Sequence, residues 1–177
     1  NNKWYSKDNK GIFDLAFLDH FLILCYRFSN KIFKNSLSEK LAKAIYYSSR
    51  VRCSADVFYK TEIGELFYPT HPIGAIITPH SKYGKGFMLY EHVHIAPYNI
   101  IGLDPSQYDR PEIGDGVRAL GYSKILGKCK IGNNVTISMG TTIINRDIPD
   151  NSVVMQKDDR LVILPNKVNN LEEILIN

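Results

Sequence analysis

The second half of the chain repeats itself every six residues. An aliphatic residue or Ala returns at this spacing from Ile113 onward, and the clearest units read Ile-Gly-Asp-Gly-Val-Arg and Ile-Gly-Asn-Asn-Val-Thr. This period matches neither the ~3.6 residues of an amphipathic helix nor the alternation of a single strand. It is typical of a chain that turns a corner after each short strand and stacks coil on coil. The repeat therefore predicts a parallel β-helix. The unit leaders are Ile113, Ala119, Ile125, Ile131, Ile137 and Ile143.

An upstream stretch has the same period. Two of its leaders, Pro69 and Ser81, are poor aliphatics, but residues two positions after the later leaders are apolar and would point the same way. The step from Val93 to Ile113 is not a multiple of six, so the two runs are out of phase with each other. Together they predict one solenoid interrupted by a loop. The upstream leaders are Val51, Val57, Ile63, Pro69, Ala75, Ser81, Phe87 and Val93, and the residues two positions on are Ile77, Tyr83, Leu89 and Ile95.

The interruption is predicted at residues 96–111, where Pro, Asn, Gly, Asp and Ser are frequent. A loop of this length inside a compact domain is usually functional. The predicted organisation is a helical cap over residues 1–50, a β-helix over 51–155, and a C-terminal tail over 156–177 with a short helix.

Composition narrows the class of protein. A chain of 177 residues with 44% apolar content fits one compact domain and argues against disorder. Cys25, Cys53 and Cys129 match no metal or disulfide spacing, so buried free thiols in the cytoplasm are expected. The net charge of +4 is modest, and the basic residues have no aromatic stacking platform, which disfavours nucleic-acid binding. The chain begins with Asn, and no signal peptide is visible.

Two helices are predicted before the solenoid. The first covers residues 12–33, where Asp14, Asp19, His20 and Arg27 leave no run of the ~18 uncharged residues that a membrane span requires. A helix lying on a partner surface is the preferred interpretation, and a helix lying in a membrane interface is the alternative.

The second helix is predicted to begin at a capping box, Ser36-Leu-Ser-Glu39. A β-helix has open ends with unpaired strand edges, and a helical cap covers such an end. The two helices are predicted to form this cap, and they could also join subunits. The predicted packing face of the second helix consists of Leu37, Leu41, Ala44, Ile45 and Ser48.

Histidines concentrate in the upstream run, which needs only apolar residues for packing. His71 lies in the segment Tyr-Pro-Thr-His-Pro-Ile-Gly, and Asp56 lies two and a half units before it. A coil of three units is slightly longer than this separation, so the two side chains belong to neighbouring levels and could touch. The alternative is that His71 only fills a corner beside Pro72.

Aligned without gaps from Asp56 to Ile95, the chain resembles the serine acetyltransferase family of left-handed β-helix enzymes. The family's Asp and catalytic His match Asp56 and His71, and its Ile-Gly matches Ile63-Gly64. The run from Ile113 to Asn151 also aligns, and the correspondence covers most of the chain. Further matching segments are Cys25-Tyr-Arg-Phe-Ser29, similar to the family's Phe-Tyr-Arg-Leu-Ser, and the ending Asp147-Ile-Pro-Asp-Asn-Ser152.

The resemblance implies a general base, His71, whose ring is held by Asp56. It also implies acetyl-CoA as co-substrate, direct transfer without an acyl-enzyme, and a homotrimer with sites between subunits. Gly121 takes a family position where small residues let the pantetheine arm lie against the coil edge, and Met139 takes the equivalent position one coil later. No metal is expected.

The chain departs from the family at the residues that read serine. Thr70 replaces the Asp before the catalytic His, Arg110 replaces a second His, and Asp109 replaces an Arg that grips the serine carboxylate. A one-residue slip could restore the Asp-Arg pair. L-serine is therefore an unexpected acceptor. The predicted acceptor-binding residues are Thr70, Asp109, Arg110, His92 and His94, with plain structural or surface roles as the alternative for the two histidines and Arg110.

Two longer segments also differ. The family's Gly-rich loop is replaced by Tyr98–Tyr108, which carries only Gly102, and the terminal Gly-Val-Pro-Ala element is replaced by Met155-Gln-Lys-Asp-Asp159. His92 and His94 are predicted to alternate along one strand and share a face with Tyr90. His80 is predicted to be structural.

The predicted function is O-acetyl transfer from acetyl-CoA to a hydroxyl of a small molecule or a sugar or polysaccharide precursor. The alternatives are a serine acetyltransferase proper, an amino-sugar N-acetyltransferase and an inactive scaffold. A zinc-dependent lyase of the γ-carbonic anhydrase type needs three His with a different spacing and is disfavoured. Membrane association is not expected.

Overall fold

The computed structural model describes residues 14–79 and 81–176. Helices α1 (Leu18–Lys34) and α2 (Glu39–Cys53) precede a solenoid of short strands, and α3 (Asn170–Ile176) follows it. The strands are β1 (Asp56–Val57), β2 (Glu62–Ile63), β3 (Tyr68–Pro69), β4 (Ile76–Ile77), β5 (Lys82–Tyr83), β6 (Met88–Leu89), β7 (His94–Ala96), β8 (Glu112–Ile113), β9 (Arg118–Ala119), β10 (Lys124–Leu126), β11 (Lys130–Ile131), β12 (Thr136–Ile137), β13 (Thr142–Ile144), β14 (Ser152–Lys157) and β15 (Arg160–Pro165).

Every third strand of the solenoid pairs in parallel, which makes three sheets. Sheet A has the order β1-β4-β7-β10-β13, sheet B has β11-β8-β5-β2, and sheet C has β15-β14-β12-β9-β6-β3. Among the described strands, β15 alone is antiparallel to its neighbour, because it folds back on β14 through a hairpin. The predicted β-helix is confirmed, as are the N-terminal helices and the short C-terminal helix.

The core consists of aliphatic columns inside the three sheets. In sheet A, Ile77, Ile95, Ile125 and Ile143 lie one above another and are at most 1% exposed. Burying one such side chain contributes about 1.5–3 kcal/mol, so the stack is a main source of stability.

The predicted register of the upstream run is wrong at Val51, which lies in α2 and is 64% exposed, and again after Pro69. The step from β3 to β4 is longer than a regular unit, and Asp56 pairs with Ile76, so the first coil is two residues longer than three regular units. The strand residues that point inward are thus Ile77 and those that follow at intervals of six. The earlier leaders from Ala75 onward are also buried, since they occupy the inward position just before each strand. The inward residues Ile95 and Ile113 are three regular units apart, so the prediction that the two runs are out of phase is wrong: the coils keep one register on both sides of the loop.

That loop occupies residues 97–111, between β7 and β8, and contains a 3-10 turn at Pro105–Gln107. The turn is closed by Asp104, whose side chain accepts from the Ser106 amide at 2.9 Å. The chain leaves the solenoid beside Gly127, where an added methyl group would lie 2.9 Å from Tyr98 Cβ.

Helix α1 lies on the first coil of the solenoid. The Tyr26 hydroxyl donates to the Thr61 carbonyl at 2.8 Å, and the Arg27 guanidinium donates to the carbonyls of Ile63 at 2.8 Å and Gly64 at 2.5 Å. These bonds satisfy an edge that would otherwise be unpaired. Across residues 14–79 and 81–176, every helix is too short or too polar to span a membrane.

Helix α2 differs from its prediction in two respects. Its N-cap is Ser38, which accepts from the Leu41 amide at 3.2 Å, so the predicted capping box at Ser36 is wrong. Its buried face is Ala42, Ser49 and Cys53, whereas Leu37 and most of the predicted face are exposed. The small side chains of the buried face allow α2 to pack closely on α1.

Cys25, Cys53 and Cys129 are free and buried, as predicted. Burial raises the pKa of the Cys53 thiol to about 11, so the thiol is protonated and inert at neutral pH.

A polar cluster joins α2 to the first coil. Lys60 Nζ lies 3.1 Å from Glu39 Oε1, and the Tyr59 hydroxyl donates to the same oxygen at 2.9 Å. These contacts, with Lys60 the stronger, lower the pKa of the Glu39 carboxyl from 4.5 to about 2.

Because its pKa is lowered by folding, Glu39 stabilises the fold fully above pH 4.5 and loses that contribution as the pH falls toward 2. We expect Glu39→Gln to be less stable than the wild type at neutral pH, with the difference vanishing near pH 2. Urea unfolding across this range measures it. Glu65→Gln, at an exposed carboxylate, is the control. If the free energies of unfolding of the wild type and Glu39→Gln changed in parallel with pH, the lowered pKa of Glu39 would be contradicted.

Candidate active site

His71 lies in the turn between β3 and β4, where the chain has two residues more than a regular unit. The His71 carbonyl accepts from the Ile73 amide at 2.7 Å, and its backbone is left-handed with φ of 46°. The longer turn moves this residue outward, and its side chain is exposed. Within residues 14–79 and 81–176, the imidazole has no hydrogen-bond partner.

Asp56 begins β1 at the same end of the solenoid. The Tyr46 hydroxyl donates to Asp56 Oδ1, and Arg50 Nε lies 3.4 Å from Oδ2. Burial, followed by the bond to Asp56, raises the pKa of the Tyr46 hydroxyl, which therefore remains a proton donor. Helix α2 thus holds this carboxylate in place.

The structure brings Asp56 next to the His71 turn without joining the two side chains. The Asp56 amide donates to the carbonyl of Ala75, the last residue of that turn, at 2.7 Å. Since each carboxylate oxygen can accept two hydrogen bonds, Oδ2 with its single long contact retains acceptor capacity.

Two of the predicted acceptor residues are not gathered around His71 in one chain. Asp109 and Arg110 lie at the end of the 97–111 loop, at the corner between sheets A and B, whereas His71 lies at the corner between sheets C and A. The Arg110 guanidinium carbon lies 5.5 Å from the centre of the Tyr108 ring. Thr70 adjoins His71, and its hydroxyl oxygen is buried without a hydrogen-bond partner among the described residues.

His92 and His94 do not share a strand face, so that prediction is wrong. Strand β6 ends at Leu89 and β7 begins at His94, and His92 lies between them in a left-handed turn with φ of 51°. The His92 ring stacks on Tyr122, with centroids 4.6 Å apart and planes 17° apart. His94 is half-buried on sheet A, between Ile76 and Lys124.

Gly121 and Met139 belong to the C–A corner, defined here as residues 70–75, 90–93, 120–123 and 138–141. The Glu91 carboxylate lies directly over Gly121, where any Cβ atom would collide with it. Met139 is 65% exposed one coil further on. The space that the pantetheine arm would need at Gly121 is therefore occupied by a carboxylate in this structure.

A depression of about 570 Å³ lies at the far end of sheet A, between β13 and the β14–β15 hairpin. Arg146 and Arg160 line it, and in the described part of the chain neither forms an ion pair with a carboxylate. The two guanidinium groups outnumber the one carboxylate in the lining, that of Asp159, and guanidinium groups bind phosphates well. The remaining lining residues are Thr142, Ile144, Gln156, Asp159 and Leu161.

Sequence reasoning missed the groups that surround the predicted residues. Tyr46 and Arg50 are four residues apart on α2, a spacing that places both on one helix face, and this signal was available. No sequence signal pointed to Arg146 and Arg160, since only the hairpin brings them together.

His80 lies outside the described residues. Within those residues, no three His, Cys, Asp or Glu side chains are grouped to hold a metal ion.

Comparisons with known proteins agree with the fold. The profile of the bacterial transferase hexapeptide family (six repeats) matches residues 110–145. A serine acetyltransferase of Bacillus pumilus is 24% identical over 141 residues, which are 80% of this chain and 62% of that protein. This chain therefore spans less than two thirds of that relative.

Solved structures of serine acetyltransferases share the architecture. The enzyme of Neisseria gonorrhoeae superposes with a TM-score of 0.74 and 21% identity, over 90% of this chain and 60% of that one. A serine acetyltransferase in complex with CoA superposes with a TM-score of 0.68 and 19% identity, over 81% and 56% of the two chains. The predicted resemblance is confirmed: this chain carries the hexapeptide transferase repeat and is similar in sequence and fold to the left-handed β-helix serine acetyltransferases.

Proposed function

We propose that the protein transfers an acetyl group from acetyl-CoA to a hydroxyl of a sugar or another small molecule. The observation that carries this proposal is the exposed imidazole of His71 on a turn at the solenoid corner, with Asp56 bonded through its backbone amide to the last residue of that turn. The similarity to proteins named serine acetyltransferases supports the reaction class.

His71 acts as the general base. Its imidazole takes the proton of the acceptor hydroxyl while the oxygen attacks the thioester carbonyl, so that the new C–O bond forms and the C–S bond then breaks. The imidazolium returns the proton to the departing thiolate. A positioned base of this kind typically contributes ~10²–10⁴-fold.

Asp56 keeps the ring in the working tautomer. Once the imidazole turns toward β1, Oδ2 accepts from the ring N–H and stabilises the imidazolium. Tyr46 and Arg50 hold the carboxylate so that it does not follow the ring. Loss of Tyr46 would therefore act on the reaction through Asp56.

The depression at the end of sheet A would hold the coenzyme phosphates. From the His71 turn to β14, the C–A corner advances by four hydrogen-bonded steps, through Thr70, Tyr90, Leu120 and Ser138. At about 4.8 Å a step this is about 19 Å. Coenzyme A carries its phosphates and its thiol at opposite ends, so Arg146 and Arg160 can bind one end while the thioester lies at His71. Its arm would run along sheet A rather than over the C–A corner, because the Glu91 carboxylate fills the space at Gly121.

We expect the double substitution Arg146→Ala/Arg160→Ala to weaken coenzyme A binding about tenfold, because two charge-assisted contacts are lost, equivalent to about 1.4 kcal/mol. Calorimetric titration of the purified chain with coenzyme A measures this. Lys31→Ala, an exposed cation on α1, is the matched control. Equal affinity of the double variant and the wild type would place the phosphates elsewhere.

The acceptor is proposed to be a sugar hydroxyl, with Thr70, His92, His94, Asp109 and Arg110 contributing to its site. Because the 97–111 loop lies at a different corner from His71, a neighbouring subunit is needed to bring Asp109 and Arg110 to the base. A homotrimer with sites between subunits provides this arrangement, and we propose that it works in the cytoplasm. Serine as acceptor is the second candidate, favoured by the names of the relatives.

The acceptor class is tested by incubating the protein and acetyl-CoA with serine, neutral sugars, amino sugars and nucleotide sugars, followed by mass spectrometry. We expect an O-acetylated sugar. Acetylserine as the main product would overturn the interpretation of Thr70 and Arg110, and an N-acetylated product would show amine specificity.

A further inference from the structure

The C–A corner carries an unusual set of bulky left-handed residues. Left-handed backbone strongly favours Gly, and next Asn, Asp and His, so Tyr122 is the most unusual residue of the set. Among the described residues with positive φ, the bulky ones are Leu66, His71, His92 and Tyr122, and three of these four lie at this one corner. A bulky residue at such a position costs stability, and residues held there often serve a site.

His92 and Tyr122 form an aromatic stack that leads away from the catalytic turn. The His92 ring lies against the backbone of Gly74, three residues after His71, where an added Cβ atom would lie 2.6 Å from His92 Cε1. Tyr122, on the next coil, stacks on the His92 ring. His92 therefore contacts both Gly74 and Tyr122, and the half-exposed Tyr122 ring presents the outer surface of the stack.

Tyr122 has room beside it. Its side chain is 54% exposed. The next residue in the same column is Gly140, whose amide donates to the Gly121 carbonyl at 3.0 Å, and an added Cβ atom there would meet nothing within 4 Å. A ring-shaped ligand can thus lie on Tyr122 without displacing other side chains.

The charge beside Tyr122 selects among such ligands. The Glu91 carboxylate lies over Gly121, the residue that precedes Tyr122. A carboxylate repels phosphates and accepts hydrogen bonds from hydroxyl groups. The electron-rich face of an aromatic ring attracts the weakly positive C–H face of a pyranose. The combination suits a neutral saccharide better than a nucleotide.

We propose that Tyr122, supported by His92 and assisted by Glu91, is a saccharide platform that sets acceptor specificity. Tyr122 lies two coil steps from Gly74, about 10 Å along the axis, which exceeds one sugar ring. The acetylated ring at His71 and the ring on Tyr122 therefore belong to one chain of at least two or three sugars. This inference rests on the proposed transfer to a sugar hydroxyl, and it narrows the acceptor to an oligosaccharide.

Saturation-transfer NMR with cellotriose, maltotriose and chitotriose tests the platform without requiring activity. We expect one of them to bind the wild type and Tyr122→Phe, with about three- to tenfold weaker binding to Tyr122→Gly. Glycine suits the left-handed backbone at this position, so this variant removes the ring without straining the fold. The matching monosaccharide should bind the wild type more weakly than the trisaccharide.

The platform is overturned if none of the three trisaccharides binds the wild type, or if Tyr122→Gly binds as well as the wild type. It is also overturned if Tyr122→Gly weakens coenzyme A binding instead of saccharide binding. The protein could bind a trisaccharide through Tyr122 and still transfer acetyl to no acceptor. That result would rule out the proposed function while supporting the platform.

Discussion

Replacing Gly84 by alanine is expected to destabilise the solenoid by about 2–3 kcal/mol, a cost at the upper end for an overpacked site. Gly84 belongs to a column of glycines on sheet B in which each backbone lies against the next. A methyl group on Gly84 would lie 2.5 Å from the carbonyl carbon of Gly114 and 2.6 Å from the Asp115 nitrogen. Because both atoms are backbone, the coils must separate to admit it. Thermal unfolding should show a melting temperature lower by roughly 4–12 °C.

Gly102→Asn is the matched control for this prediction. Gly102 is left-handed with φ of 74°, and nothing lies within 4 Å of a Cβ atom built on it. Asn tolerates this conformation, so we expect a change within about 0.5 kcal/mol. If Gly84→Ala has the same melting temperature as the wild type, the close stacking of the glycine column is wrong.

His71→Ala is expected to lower kcat for acetyl transfer by ~10²–10⁴-fold, because the acceptor hydroxyl then loses its base. The side chain is exposed and makes no contact that the fold needs within the described residues, so the melting temperature should be unchanged. KM for acetyl-CoA should also stay the same, since the proposed phosphate site lies about 19 Å away. Steady-state assays with the acceptor found by mass spectrometry measure both constants.

The Asp56→Asn variant tests whether Asp56 acts on catalysis by positioning the His71 ring. Its effect on kcat should be smaller than that of His71→Ala, and the double variant should be little worse than His71→Ala, because Asp56 acts through the ring. If the losses in kcat of the two single variants multiply in the double variant, Asp56 does not position His71.

The repeat made the fold predictable, and the errors came from features that a repeat does not encode. Ile113 and its successors predicted the coils because each inward position must be aliphatic. The register failed at His71 because two adjacent inward positions, Ala75 and Ile77, are both apolar, so the pattern hid the two-residue insertion. The face of α2 was misassigned because α1 packs against small side chains such as Ala42, whose apolar signal is weak.

Only those features of the candidate site that depend on local sequence could be predicted. His71 stands out by its turn and its resemblance, but the partners of Asp56 come from a helix that tertiary packing brings to β1. Arg146 and Arg160 meet because β15 folds back on β14. Tyr122 looks like an ordinary coil residue until its stacking on His92 is seen.

The central claim is that the protein transfers acetyl groups with His71 as the base. Thiol release from acetyl-CoA, followed with wild type and His71→Ala in the presence and absence of acceptor, tests this most directly. We predict release by the wild type that depends on the acceptor and falls at least about a hundredfold in His71→Ala, which follows from the loss of general-base catalysis. No acceptor-dependent release by the wild type, or equal release by both proteins, would contradict the account.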